Sequence, residues 1–126
     1  MISYFQERLM KISLLSYIFA YMNRKTENIT RLIKLNIAEV DPEALVILYG
    51  SRARGNARKE SDWDILVLTK YPVTWQVEKK FRDHLYDLEL ETGEVLSLFV
   101  YSKEEWDTKH HITPYYHNVI SEGVLL

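Results

Sequence analysis

Gly50-Ser51-Arg52-Ala53-Arg54-Gly55, followed after a short basic loop by Ser61-Asp62-Trp63-Asp64, is the stretch that decides the fold of this chain. The Gly-Ser pair directly follows an apolar run, Leu45-Val46-Ile47-Leu48-Tyr49, and the two aspartates open a second, Ile65-Leu66-Val67-Leu68. Both runs read as buried strands. A tight turn at a strand end, with a helix starting after it, offers free backbone N–H groups to a phosphate. Two carboxylates at i and i+2 at the head of a strand point to one face of the sheet. Such a pair suits a hard divalent cation, which takes oxygen ligands. A phosphate turn beside a cation pair is the hardware of phosphoryl or nucleotidyl transfer.

Outward from this centre the pattern alternates helix and strand. Ile29, Leu32, Ile33, Ile37 and Val40 recur at helical spacing over Thr26–Val40, and Asp41-Pro42 ends that helix. Leu45–Tyr49 is the first strand, Ser51 to about Asn56 a short helix, and Asp62–Leu68 the second strand. Val77, Phe81, Leu85 and Leu88 mark a long helix that stops near Gly93. Val95–Tyr101 reads as a third strand, and Ser102-x-x-Glu105 as a capping box on a short helix carrying Trp106. Thr113 and Pro114 suit the N-cap and first position of a last helix, ended by Gly123, with Val124-Leu125-Leu126 as an edge strand. The expected fold class is α/β (α+β): a small mixed β-sheet flanked by helices in two or three layers.

The 126 residues suffice for one core but not for separate catalytic and acceptor-binding domains. A formal net charge of −2 argues against a general nucleic-acid surface, and direct nucleic-acid binding is disfavoured. Positive charge is local instead, with Arg52, Arg54, Arg58 and Lys59 crowding the loop between the motifs. There is no cysteine, which excludes thiol nucleophiles and thiolate zinc sites and fits a cytoplasmic location. Ile12–Tyr21 is apolar but too short to span a bilayer, and no small-residue cleavage site follows it, so no membrane role is expected. We expect residues 1–21 to be an extension or extra helix without catalytic role, with Met22 as an alternative start, and residues 22–126 to form the functional domain.

Ten residues, Arg52 through Ser61, separate Gly50-Ser51 from Asp62-x-Asp64. This resembles the Gly-Ser-x(10)-Asp-x-Asp signature of minimal nucleotidyltransferase domains in the DNA polymerase beta superfamily, and Arg54-Gly55 and Ser61 match further positions of it. The resemblance covers the chain from about Asn23 onward. An ordinary strand-to-helix turn explains Gly50-Ser51 taken alone, and a solvated strand start explains the aspartates taken alone. Their joint spacing turns both toward the functional reading.

The resemblance implies attack of an acceptor hydroxyl on the α-phosphorus of a nucleoside triphosphate. It implies two Mg²⁺ ions, with Mn²⁺ as the alternative, ligated by Asp62 and Asp64 as catalytic and metal residues. Gly50 and Ser51 would hold the phosphates, and Arg52 or Arg54 would offset their charge. The family's third carboxylate sits mid-strand on the third strand, and sliding that pattern onto Val95–Val100 places Ser97 there. Glu94 is a substitute, although its side chain would point to the face opposite Ser97. His110, His111 and His117 lack zinc spacing and read as a polar loop. Trp63, between the aspartates, should face the core, and most of the other aromatic side chains should be core or partner surface.

Two functions stay open. One is a Mg²⁺-dependent nucleotidyltransferase moving an NMP, with AMP favoured, from an NTP to a hydroxyl acceptor on a separately encoded HEPN-type partner, as antitoxin to toxin. The alternative is a non-catalytic module of the same fold that binds and neutralises such a toxin. Intact Gly50-Ser51 and Asp62/Asp64 favour the first, and Ser97 favours the second.

Overall fold

The computed structural model of the chain describes residues 2–126, apart from the side chains at positions 19, 22 and 23. The alternative start at Met22 and the segment Tyr21–Arg24 therefore lie in part outside the described residues. The chain divides into two compact units, one ending at Arg31 and the other spanning Leu32–Leu126.

Helix α1, Tyr4–Val40, is much longer than the expected Thr26–Val40. No proline or glycine interrupts the sequence from Tyr4 to Val40, so nothing stops the helix between an extension and the first core element. Its start is a reciprocal capping box: the Gln6 N–H donates to Ser3 Oγ at 3.2 Å and the Ser3 N–H to Gln6 Oε1 at 2.9 Å. Within the first unit Tyr4, Phe5, Leu9, Met10, Leu14, Leu15 and Tyr17 are exposed.

The second unit carries the sheet. Strand β1 is Leu45–Tyr49, β2 Trp63–Thr69, β3 Leu96–Ser102 and β4 Val124–Leu125, in the order β3-β2-β1-β4. β1 runs antiparallel to β2 and β4, and β2 parallel to β3. The parallel pair demands a crossover, supplied by α3, Trp75–Thr92. Helices α2 (Ser51–Arg54), α4 (Lys103–Thr108) and α5 (Pro114–Glu122) complete the unit. In this unit three N-caps use their side-chain oxygens: Thr74 accepts from the Val77 N–H, Ser102 from Glu105 and Thr113 from Tyr116. Each such cap is worth about 1 kcal/mol. Among the described residues no helix is long and apolar enough to cross a membrane.

Strand alternation sorts the core into two faces. One face holds Val46, Leu48, Ile65, Val67, Leu98 and Val100, all buried, and α3 turns Phe81, Leu85 and Leu88 inward. The other carries Tyr49, Leu66 and Leu68, packed with Trp106 of α4 and Val119 of α5. That second face also carries Asp64 of the motif, so α4 and α5 flank the site.

Candidate active site

Gly50 takes φ 74° and ψ −160° at the junction of β1 and α2. That conformation is reserved in practice for glycine. Its carbonyl starts α2 by accepting from the Ala53 and Arg54 N–H groups at 3.1 and 3.0 Å. A Cβ at this position would lie 2.1 Å from Asp64 Oδ2. The glycine therefore does two jobs, permitting the turn and leaving room for the carboxylate. Gly50→Ala should lower the unfolding free energy by about 1–3 kcal/mol from backbone strain alone, with a further loss from displacing Asp64. Urea unfolding that shows no destabilisation would contradict this packing.

Asp64 opens β2 as its second residue and is half-buried, while Asp62 just precedes the strand and is exposed. The sheet register sets Tyr49 opposite Asp64 on one side and Ser97 on the other. Register partners share a face, so Ser97 lies on the aspartate side of β3. Burial lifts the Asp64 carboxyl above its ordinary range; Asp62 and Glu122 lift it further, and Arg54 partly offsets them. Among the described residues no hydrogen bond or ion pair ties either aspartate. Two uncommitted carboxylates close enough to interact, one of them raised by burial and like charge, form a donor set that fits a hard divalent cation. No cluster of three or more metal-ligating side chains occurs among the described residues.

The two motif arginines part company. Arg52 donates to the Ser61 carbonyl at 3.0 Å and to that of Lys59 at 3.2 Å, and lies over the Trp63 ring at 4.5 Å. Trp63 is fully buried and alternates with the two aspartates, so Arg52 serves the opposite face. In this structure its guanidinium braces the loop between the motifs. Glu94 lies on that opposite face too. It accepts from the Trp63 indole N–H at 3.1 Å and stands 3.9 Å from Arg52, holding the buried ring from behind.

Arg54 stays on the aspartate side, paired to Glu122 at 2.9 Å. Glu122 stands outside both sequence motifs, yet it ties the site together. Its other carboxylate oxygen accepts from the Gly50 N–H at 3.1 Å, which commits one donor of the Gly-Ser turn and leaves the N–H groups of Ser51 and Arg52. The Arg54 pair holds the Glu122 carboxyl below its usual range, with the Gly50 bond adding to this and burial opposing it. The one sequence signal is an acid in the last turn of a helix, where the macrodipole disfavours it without a partner. Gly123 lets that helix end approach β1, since a Cβ there would meet the Val119 carbonyl at 2.4 Å and Ile47 at 2.9 Å.

The remaining basic side chains of the loop, Arg58 and Lys59, are exposed, and Ser61 Oγ accepts from the Arg58 N–H at 2.8 Å to close it. His110 packs its ring on Tyr101 at 4.3 Å, so part of the histidine segment joins the aromatic cluster. Of the other tryptophans, Trp106 is buried and Trp75 is exposed.

Comparison with known proteins follows the same lines. Residues 27–126 match the family described as Polymerase beta, Nucleotidyltransferase. No curated protein matches the chain. Among solved structures, the crystal structure of a toxin-antitoxin with AMP-PNP aligns with 73% of this chain and 70% of that one, at 17% identity and a TM-score of 0.50. That likeness is one of fold. With its Gly-Ser turn, its paired aspartates and a match running from residue 27 to the C-terminal residue, the chain belongs to the polymerase beta nucleotidyltransferase family.

Proposed function

We propose that the chain is a Mg²⁺-dependent nucleotidyltransferase that moves AMP, or another NMP, from an NTP to a hydroxyl on a separately encoded HEPN-type partner protein. The observation that carries this reading is the Gly50 turn set directly against Asp64, with the Asp62 carboxylate near enough to raise the Asp64 carboxyl after burial has done so. Asp62 and Asp64 would hold the cation, which supplies neutralisation of phosphate charge and activation of the acceptor oxygen. The Ser51 hydroxyl and the N–H groups of Ser51 and Arg52 bind phosphate oxygens, and Arg54, steadied by Glu122, lends positive charge. The acceptor oxygen bonds to the α-phosphorus, the α–β anhydride bond breaks, and pyrophosphate leaves with the electron pair. Ser97 cannot take the acceptor's proton as a carboxylate would, so that proton passes to water or to a group brought by the partner. The site lies wholly within residues 22–126, and residues 1–21 have no catalytic part.

The toxin-antitoxin neighbour, which holds AMP-PNP, supports both a nucleotide and a protein partner for this chain. Ser97 favours a second reading, in which the same domain binds nucleotide and neutralises its partner without turnover. ATP labelled at the α-phosphate, incubated with Mg²⁺, the chain and the product of a neighbouring gene, separates the two. Transfer of label to the partner, abolished by chelator, is the expected result. A stable complex with bound nucleotide and no transferred label selects the second reading. Neither transfer nor bound nucleotide overturns both.

A further inference from the structure

We propose that Phe99, backed by Tyr115, is the stacking platform for the nucleobase, an inference that rests on the NTP reading above. β3 alternates cleanly. Leu96, Leu98 and Val100 point to the buried face, while Ser97, Phe99 and Tyr101 share the face of the aspartates. A residue with no burial to gain on such a face is ordinarily polar. Phe99 is instead 42% exposed, although its register partner Leu66 is fully buried. It follows Ser97 by two residues, which is about 6.7 Å along a strand. Ser97 in turn is the direct neighbour of Asp64.

The ring is held, not loose. Tyr115 tilts against it with centroids 5.7 Å apart, and Tyr101 lies nearly parallel to it at 6.4 Å. Tyr115 is itself fixed by its hydroxyl, which donates to the Tyr49 hydroxyl at 3.0 Å, and by an edge contact with Trp106 at 5.5 Å. Tyr49 is the neighbour of Asp64 on the other side. Aromatic rings thus run from Tyr49, the register partner of Asp64, through Tyr115 to Phe99, and Phe99 is the one of the three most open to solvent. A preformed ring loses little freedom when a second ring lies on it. Every base has a π-face, so such a platform adds affinity without choosing the base.

Calorimetric titration of the full chain with Mg·ATP and with Mg·tripolyphosphate, which lacks a base, tests this. Phe99→Ala should weaken Mg·ATP about 5- to 150-fold, the range expected for losing one base–aromatic stack. Its tripolyphosphate affinity should not change, and Phe99→Trp should keep ATP binding. Unchanged ATP affinity in folded Phe99→Ala, or equal weakening of both ligands, overturns the platform. So does a wild-type chain that binds tripolyphosphate as tightly as ATP, which leaves the phosphate site standing. Binding of neither ligand overturns the platform and the NTP reading together.

Discussion

Ser97→Asp should tighten Mg²⁺ binding about tenfold, equivalent to about 1.4 kcal/mol, and raise any transferase rate about a hundredfold. The register of β2 with β3 puts residue 97 beside Asp64 on its own face, so a carboxylate there joins the two already present. It adds an oxygen ligand, a negative charge and a base for the acceptor hydroxyl. The cost falls on the metal-free state. Asp64 is already pushed up by burial and by Asp62, and a third charge would crowd it further. The variant should therefore melt below the wild type in chelator and regain that loss as Mg²⁺ saturates the site. Ser97→Asn, similar in size and uncharged, should do neither. If Ser97→Asp leaves Mg²⁺ affinity unchanged while remaining folded, residue 97 does not occupy the third-acid position.

Local chemistry makes most of the fold legible. The apolar runs before Gly50 and after Asp64 form β1 and β2, within one residue of the expected bounds. Thr74, Ser102 and Thr113 cap their helices because short side-chain oxygens reach a free N–H nearby, and the sequence alone points to Ser102 and Thr113. Alternation alone sends Trp63 to the core, and it is fully buried. The same alternation sets Glu94 opposite Ser97, where it meets the Trp63 indole.

What escapes the sequence is long-range. Residues two apart on a helix project about 200° from one another, so Arg52 and Arg54 could not share a side, but only the tertiary packing says which faces the aspartates. Glu122 lies 72 residues from Gly50 in sequence, and no local pattern links them. The length of α1 differs from expectation for a simpler reason. An apolar stretch and an amphipathic one look like separate elements, although nothing between them breaks a helix.

Asp64, set against the Gly50 turn, and Asp62 are proposed to hold a divalent cation and with it a nucleoside triphosphate. Titrating Mg·ATP calorimetrically into wild type and into the Asp62→Asn, Asp64→Asn variant tests this most directly. Both variant side chains keep their size and lose their charge, and neither aspartate is committed to a structural hydrogen bond among the described residues, so the fold should survive with an unchanged circular dichroism spectrum. Burial of the Asp64 charge and, after it, repulsion from Asp62 raise that carboxyl, and both costs disappear with the charges, so the metal-free variant should melt no lower than the wild type. Metal-dependent binding should fall at least about a hundredfold, equivalent to about 2.7 kcal/mol, and the residual affinity should no longer respond to chelator. A folded double variant that binds Mg·ATP as tightly as the wild type would contradict the assignment.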